Sequence, residues 1–241
     1  MVIYKVKNGF NVYTDLNAKI KLTSKNVKNF FENTIYSKNP RNNFFDGYVG
    51  FLNYELLCQL INVKIPKQQS NGFHQSIFYK PETLIKIRKN IQILSTIKNY
   101  KENNKLTPSR KNFFHEKKFK VNLTLAQYTK LFRNFSQKIR EGKTYQIKIC
   151  QKYRNHSNID AVKFFWKLMK ANSSPESFMI RDNNYSIISC SPETLINKKN
   201  NIIITKPIAG TMKKNKKTTV EMAKKFFKGN EKESKEHNMI V

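Results

Sequence analysis

The chain has 241 residues, with 46 Lys+Arg against 16 Asp+Glu and a formal net charge of +30. Hydrophobic residues make up 39% and aromatics 12%, too apolar for a disordered tail and enough for a sizeable core. No apolar run reaches the roughly 18 residues that a membrane-spanning helix needs. The start, MVIYKVKNGF, lacks the apolar stretch of a secretory signal, so a cytoplasmic protein with no membrane partner is expected.

The charge has a compositional origin. Of the basic residues 39 are Lys and seven Arg, while Asn occurs 30 times, Ile 24 times and Ala six times. Lys, Asn and Ile share A/T-rich codons, so a biased genome enriches all three together. Nucleic-acid sites favour the planar fork of Arg, and here the Lys are spread along the whole chain. A basic nucleic-acid-binding module is the weaker alternative, and no nucleic-acid partner is expected. Cys58, Cys150 and Cys190 form no CxxC, and His74, His115, His156 and His237 stand apart. Neither a disulfide framework nor a zinc site is written here.

Residues 1–97 read as strands with one or two helices. Val2 to Val6 and Phe10 to Tyr13 form a hairpin around Asn8-Gly9. Ser24 caps a helix carrying Val27, Phe30 and Phe31 that ends before Asn39-Pro40. An apolar stretch flanked by Gly47 and Gly50 follows, and then two strands, Thr83–Ile87 and Ile91–Thr96, across Lys89-Asn90. Residues 98–118 are polar and charged, a linker or surface insertion and the best internal boundary.

Residues 119–241 are more regular. Thr124 heads a helix with Leu125, Tyr128, Leu131, Phe132, Phe135 and Ile139 at helical spacing, closed by Gly142. A strand is expected next, with Tyr145, Ile147 and Ile149 on one face and Gln146, Lys148 and Cys150 on the other. A second helix runs about 159–171. Phe178–Arg181 pairs with Tyr185–Ser189, and Ile202–Lys206 is a further strand. A last helical pattern starts near Thr218 or Thr219, breaks at Gly229-Asn230 and resumes through Glu231. It stops on apolar residues without a cap, as if cut in mid-element.

Four clusters place polar residues where a fold has no need of them: Gly142-Lys143-Thr144-Tyr145-Gln146, Ser191-Pro192-Glu193-Thr194-Leu195, Lys206-Pro207-Ile208-Ala209-Gly210-Thr211 and Glu233-Ser234-Lys235-Glu236-His237-Asn238-Met239. Each is a weak pattern alone. Ser-Pro-Glu is commonly a turn, and two Glu at i, i+3 beside Lys are commonly a solvated, ion-paired helix face. In this order and spacing they resemble the chorismate-utilising enzymes, the aminating component I of anthranilate synthase and of aminodeoxychorismate synthase. The upstream Gly47-Tyr48-Val49-Gly50-Phe51-Leu52-Asn53-Tyr54-Glu55 is similar to a Gly-rich segment of the same family.

The resemblance implies a chemistry. Chorismate must lose its ring hydroxyl as a nucleophile adds to the ring. Glu193 would be the general acid for that departure, held in a closed, dry site. Glu236 would bind Mg²⁺ directly and Glu233 beside it, the ion also holding a substrate carboxylate. Gln146, where water-adding members carry a base, implies ammonia as nucleophile. Ala209 leaves room for direct attack, as in anthranilate synthases, where a Lys would attack covalently. Gly210 would allow close backbone approach to the substrate and Thr211 would hydrogen-bond it. No L-L-E-S stretch of the tryptophan feedback pocket is found, which points to the aminobenzoate branch against Ala209; the product stays open.

Two departures stand out: Lys143 replaces the family's Asp, and the family's second half is absent after Val241. The expected fold is therefore α+β, antiparallel sheets in a layered core with outer helices, incomplete as an N-terminal fragment. The expected partners are chorismate, a glutamine amidotransferase subunit that supplies ammonia, and the missing C-terminal half. The fragment alone is expected to be inactive. A gene remnant without activity is the other alternative.

Overall fold

A computed structural model of the chain describes residues 1–33, 47–64, 76–98, 100, 118–199, 201–215 and 217–240. The expected helix end before Asn39-Pro40 and nearly all of the polar 98–118 stretch lie outside the described residues. The chain divides into two compact units, Met1–Asn103 with Phe165–Val241, and Asn104–Phe164.

The first unit is organised by an antiparallel sheet. Strands β1 (Val2–Val6) and β2 (Gly9–Lys21) form the expected hairpin, with Val6 opposite Gly9 and Val2 opposite Tyr13. Gly9 takes φ +143°, a conformation the turn requires and side chains resist. Strand β2 continues past Tyr13 to Lys21, bending where its register against β4 shifts between Leu16 and Lys19. The long β4 (Ile77–Ile87) pairs with β2 along one edge. Along the other it pairs first with β3 (Val49–Phe51) and then with β5 (Ile91–Ser95). On the far side β1 pairs with β8 (Glu176–Arg181), and β8 with β9 (Ser186–Ser191). The sheet order is β3-β4-β2-β1-β8-β9.

Two apolar clusters form the core. Val2, Tyr13, Leu84 and Ile180 meet on one, and Leu22, Val27 and Leu56 on the other. Each fully buried aliphatic or aromatic side chain contributes roughly 1.5–3 kcal/mol. Helices α1 (Val27–Asn33) and α2 (Tyr54–Leu60) feed the second cluster through Val27 and Leu56. The helix starts two residues later than a cap at Ser24 implies: Asn26 Oδ1 accepts from the Thr23 amide at 2.7 Å, which folds residues 23–26 into the turn that opens α1. Asn53 caps α2, accepting from the Leu56 amide at 3.0 Å. Gly50 is a steric necessity, since a Cβ there would lie 2.0 Å from the Ile77 carbonyl oxygen. Helix α4 (Ala161–Ala171) opens on Asp160, and its Phe165 is fully buried, edge-on to Phe10 and Trp166.

The remaining elements of this unit bury little. Strands β10 (Thr194–Lys199) and β11 (Ile202–Lys206) make a separate two-stranded sheet in which only Thr194 is half-buried. Helices α5 (Val220–Lys228) and α6 (Glu231–Ile240) break at Gly229-Asn230 as expected, and neither has a buried residue.

In the second unit, β6 (Lys120–Val121) pairs with β7 (Tyr153–Arg154), and α3 (Leu125–Arg140) carries a full capping box between Thr124 and Gln127. The strand expected over 145–150 does not form. Its alternation holds only over 146–150, with Ile147 and Ile149 half-buried and Gln146, Lys148 and Cys150 exposed, while Tyr145, expected on the face of the two isoleucines, is exposed as well. An extended segment becomes a strand only when a neighbour takes its backbone hydrogen bonds, and among the described residues none does. The α+β class with antiparallel sheets is what the structure has.

Candidate active site

The register of β10 against β11 builds the centre of the site. Thr194 lies opposite Lys206, so the residues just outside this pair, Glu193 on one strand and Pro207-Ile208 on the other, are neighbours by geometry. The Ile208 amide donates to Glu193 Oε1 at 3.3 Å. The corner itself is folded by Ser191, whose hydroxyl donates to the Glu193 carbonyl oxygen at 3.3 Å. Glu193 is exposed among the described residues, so the closed, dry surroundings expected for a general acid are not formed by them.

Helix α6 closes on the same loop. Asn230 caps it, accepting from the Glu233 amide at 3.2 Å, and Ser234 donates back to the Phe227 carbonyl at 3.3 Å. These bonds turn Glu233 toward Gly210. A Cβ on Gly210 would lie 2.3 Å from Glu233 Oε2. What lies against Gly210 is thus the Glu233 side chain. Pro207, Ile208, Ala209 and Gly210 face Phe227, Glu233, Ser234, His237 and Asn238 across a cleft of about 380 Å³. Thr211 follows directly but is exposed and is not part of that lining.

The two carboxylates expected to bind a metal share a cation already. Lys232 Nζ sits 3.1 Å from Glu233 Oε1 and 3.6 Å from Glu236 Oε2. The Glu233 and Glu236 side chains are 18% and 27% exposed. The hydrogen bond that it donates to Glu233, and then the charges of both carboxylates, hold the Lys232 ammonium above its ordinary pKa. Among the described residues no three or more His, Cys, Asp or Glu converge as a metal cluster. The pair nevertheless suits an ion that takes one or two protein carboxylates and keeps its other positions for water and substrate, as Mg²⁺ does.

Gln146 belongs to the second unit and is exposed; its carbonyl oxygen accepts from the Thr144 hydroxyl at 3.2 Å. Lys143, the departure from the family pattern, pairs with Glu141 at 2.8 Å. Sequence reasoning gave no role to Phe227, Ser234 or His237, although the last two lie inside a quoted motif.

Over residues 4–241 the sequence matches the family described as chorismate binding enzyme, and the chain belongs to that family. It is 27% identical over 189 residues to anthranilate synthase component 1 of Acetivibrio thermocellus, covering 78% of this chain and 37% of that protein. It is 34% identical over 91 residues to aminodeoxychorismate synthase component 1 of Escherichia coli K12, covering 38% of this chain and 20% of that protein. The crystal structure of anthranilate synthase component I from Streptococcus pneumoniae TIGR4 has the same fold, with TM-score 0.74 at 18% identity. That match covers 95% of this chain and 58% of the other. The chain thus spans well under two thirds of the proteins it matches. Among the described residues no helix is long and apolar enough to cross a membrane.

Proposed function

We propose that the chain carries the first part of a component I that adds ammonia to chorismate in a Mg²⁺-dependent reaction, giving anthranilate or aminodeoxychorismate. The observation that carries this reading is the meeting of three distant motifs at one loop, 207–210: Glu193 accepts from the Ile208 amide, and Glu233 lies against Gly210 across the cleft that this loop lines.

In this reading a C–N bond forms to the ring as the C–O bond to the hydroxyl breaks. The Glu193 carboxyl gives its proton to the departing hydroxyl, which leaves as water, and a proton shed by the added nitrogen passes to solvent and restores the carboxyl. That completes aminodeoxychorismate; anthranilate requires in addition that the ring lose its enolpyruvyl group as pyruvate together with a ring proton. Ala209 leaves the approach open and the Thr211 hydroxyl is a donor for the substrate. Gln146 offers no base to activate water, which leaves ammonia as nucleophile. Glu236 and Glu233 would hold Mg²⁺ in place of the Lys232 ammonium, and the ion would supply positive charge to a substrate carboxylate. Ammonia would come from a glutamine amidotransferase subunit in the cytoplasm.

The reading includes a second body of polypeptide. Leu195 is 82% exposed, Ile203 67% and Leu125 81%, and β10, β11, α3 and α5 bury almost nothing although each carries apolar side chains. Such faces are those of elements that pack against a partner. The 42% of the structural neighbour that lies beyond the match is the right source of it. The test is an assay for aminated product from chorismate, Mg²⁺ and ammonium salt, by fluorescence and chromatography. The purified chain alone should yield none, and addition of a second polypeptide carrying the remaining family sequence should yield product. Activity of the chain alone would refute the need for a second half; a folded, completed assembly that makes no aminated product would refute the reaction.

A further inference from the structure

The corner that carries Glu193 is gripped from both ends by one side chain's neighbourhood. Glu176 opens β8, and in the β8–β9 ladder it lies directly opposite Ser191, the first residue of the corner. Its carboxylate accepts from two hydroxyls. One is Thr194 Oγ1 at 2.5 Å, the last residue of the corner, and the other is the Tyr4 hydroxyl from β1. Between these anchors only Pro192 and Glu193 are left, and the ring of Pro192 fixes one backbone angle of that pair. Thr194 in turn is paired across to Lys206, which leads into the loop whose Ile208 amide meets Glu193.

We infer that Glu176 is a positioning residue: by holding Ser191 through the ladder and Thr194 through its carboxylate, it sets the place of the Glu193 carboxylate against Ile208. The inference rests on the reading of Glu193 as the acid, but its geometry is independent of any substrate. A carboxylate that takes two hydroxyl donors makes two charge-assisted bonds, shorter and stronger than neutral ones. Burial and then the hydrogen bond to Glu176 raise the pKa of the Tyr4 hydroxyl, which keeps it a donor. Tyr4 ties the grip to the central hairpin, so the corner is fixed to the most thoroughly packed part of the unit.

The test follows the Ile208 amide by NMR at one fixed pH, in the full chain labelled with ¹⁵N-isoleucine, comparing each background with and without E193Q. In the parent background E193Q should move this resonance, because the acceptor that the amide meets has changed. In E176A that displacement should be lost, while the Ile3 and Ile180 amides of the main sheet keep their native positions. E176Q, whose carbonyl oxygen still accepts from Thr194, should restore it. T194V removes the same hydrogen bond while leaving the Glu176–Tyr4 pair in place, and should lose the displacement as E176A does. If E176A does not fold, T194V decides. A parent-sized E193Q displacement of Ile208 in T194V, or in a folded E176A, would overturn the inference. No chorismate is needed, so a failure to bind or aminate chorismate would strike the functional reading and leave this result standing.

Discussion

Gly210 and Glu233 are in contact in a way that only glycine permits: a Cβ at position 210 would lie 2.3 Å from Glu233 Oε2 and 2.8 Å from its Cδ. The obstructing atoms are the free end of a flexible side chain, so G210A can be relieved by rotating the carboxylate away. Stability should therefore change by less than about 1 kcal/mol. Mg²⁺ binding, followed by the Glu233 amide resonance during a Mg²⁺ titration, should weaken by roughly tenfold or more, as displaced metal-site groups commonly cause. Unchanged Mg²⁺ affinity in G210A would separate Glu233 from the metal.

Lys232 Nζ lies 3.1 Å from Glu233 Oε1 and 3.6 Å from Glu236 Oε2, and in the proposed reading it competes with Mg²⁺ for both carboxylates. Replacing it by Met removes the competing ammonium and leaves two like charges facing each other. K232M should tighten Mg²⁺ binding by up to about fivefold, the scale of an exposed ion pair. The same Mg²⁺ titration reads this, and weaker binding would show that the ammonium helps to hold the pair in place.

Acid should weaken the first unit at one identifiable point. Asp182, in the β8–β9 turn, receives Lys19 Nζ at 2.5 Å and the Tyr79 hydroxyl at 2.6 Å. The bond from Lys19 first, and then that from Tyr79, lower its pKa from 3.8 to about 2. A carboxyl whose folded pKa is depressed stabilises the fold above its unfolded pKa, and that contribution fades as pH falls toward the folded one. D182N should cost roughly 1–2 kcal/mol at neutral pH and should flatten the loss of stability between about pH 4 and pH 2. Denaturant melts of parent and D182N across that range provide the check, and parallel pH curves would exclude Asp182.

How much of this was readable from the residues alone varies with the range of the interaction. The β1–β2 hairpin, the helix start at Thr124 and the break at Gly229-Asn230 rest on short-range signals, and all were legible; the part of Gln127 in the cap at Thr124 was not read. Strand β10 was not. Thr194-Leu195-Ile196-Asn197-Lys198-Lys199 has no alternation, and its pairing with β11 passes through an irregular register. The 145–150 segment shows the reverse failure, since its alternation is present and its ladder is not. At the site, the motifs gave the residue types, but the meeting of Glu233 with Gly210 needs the turn at Asn230. Glu176 carried no signal at all, because Tyr4 lies 172 positions away from it.

Exposed apolar side chains in β10 and β11 should make the chain associate with itself. Leu195 and Ile203 are 82% and 67% exposed, so L195K and I203K should each raise solubility with a melting temperature close to the parent's. Light scattering and thermal melts measure the two effects. A marked drop in melting temperature would mean that these side chains already support the fold.

The central claim is that chorismate receives nitrogen at a site where Glu193 is the acid. Its most direct measurement is the mass of the product formed from chorismate and ¹⁵N-ammonium by the completed assembly, for parent and E193Q. The account predicts a product that carries ¹⁵N, reduced by roughly 10²- to 10⁴-fold in E193Q, the range of a lost general acid. A product lacking ¹⁵N, or an E193Q assembly as fast as the parent, would contradict it.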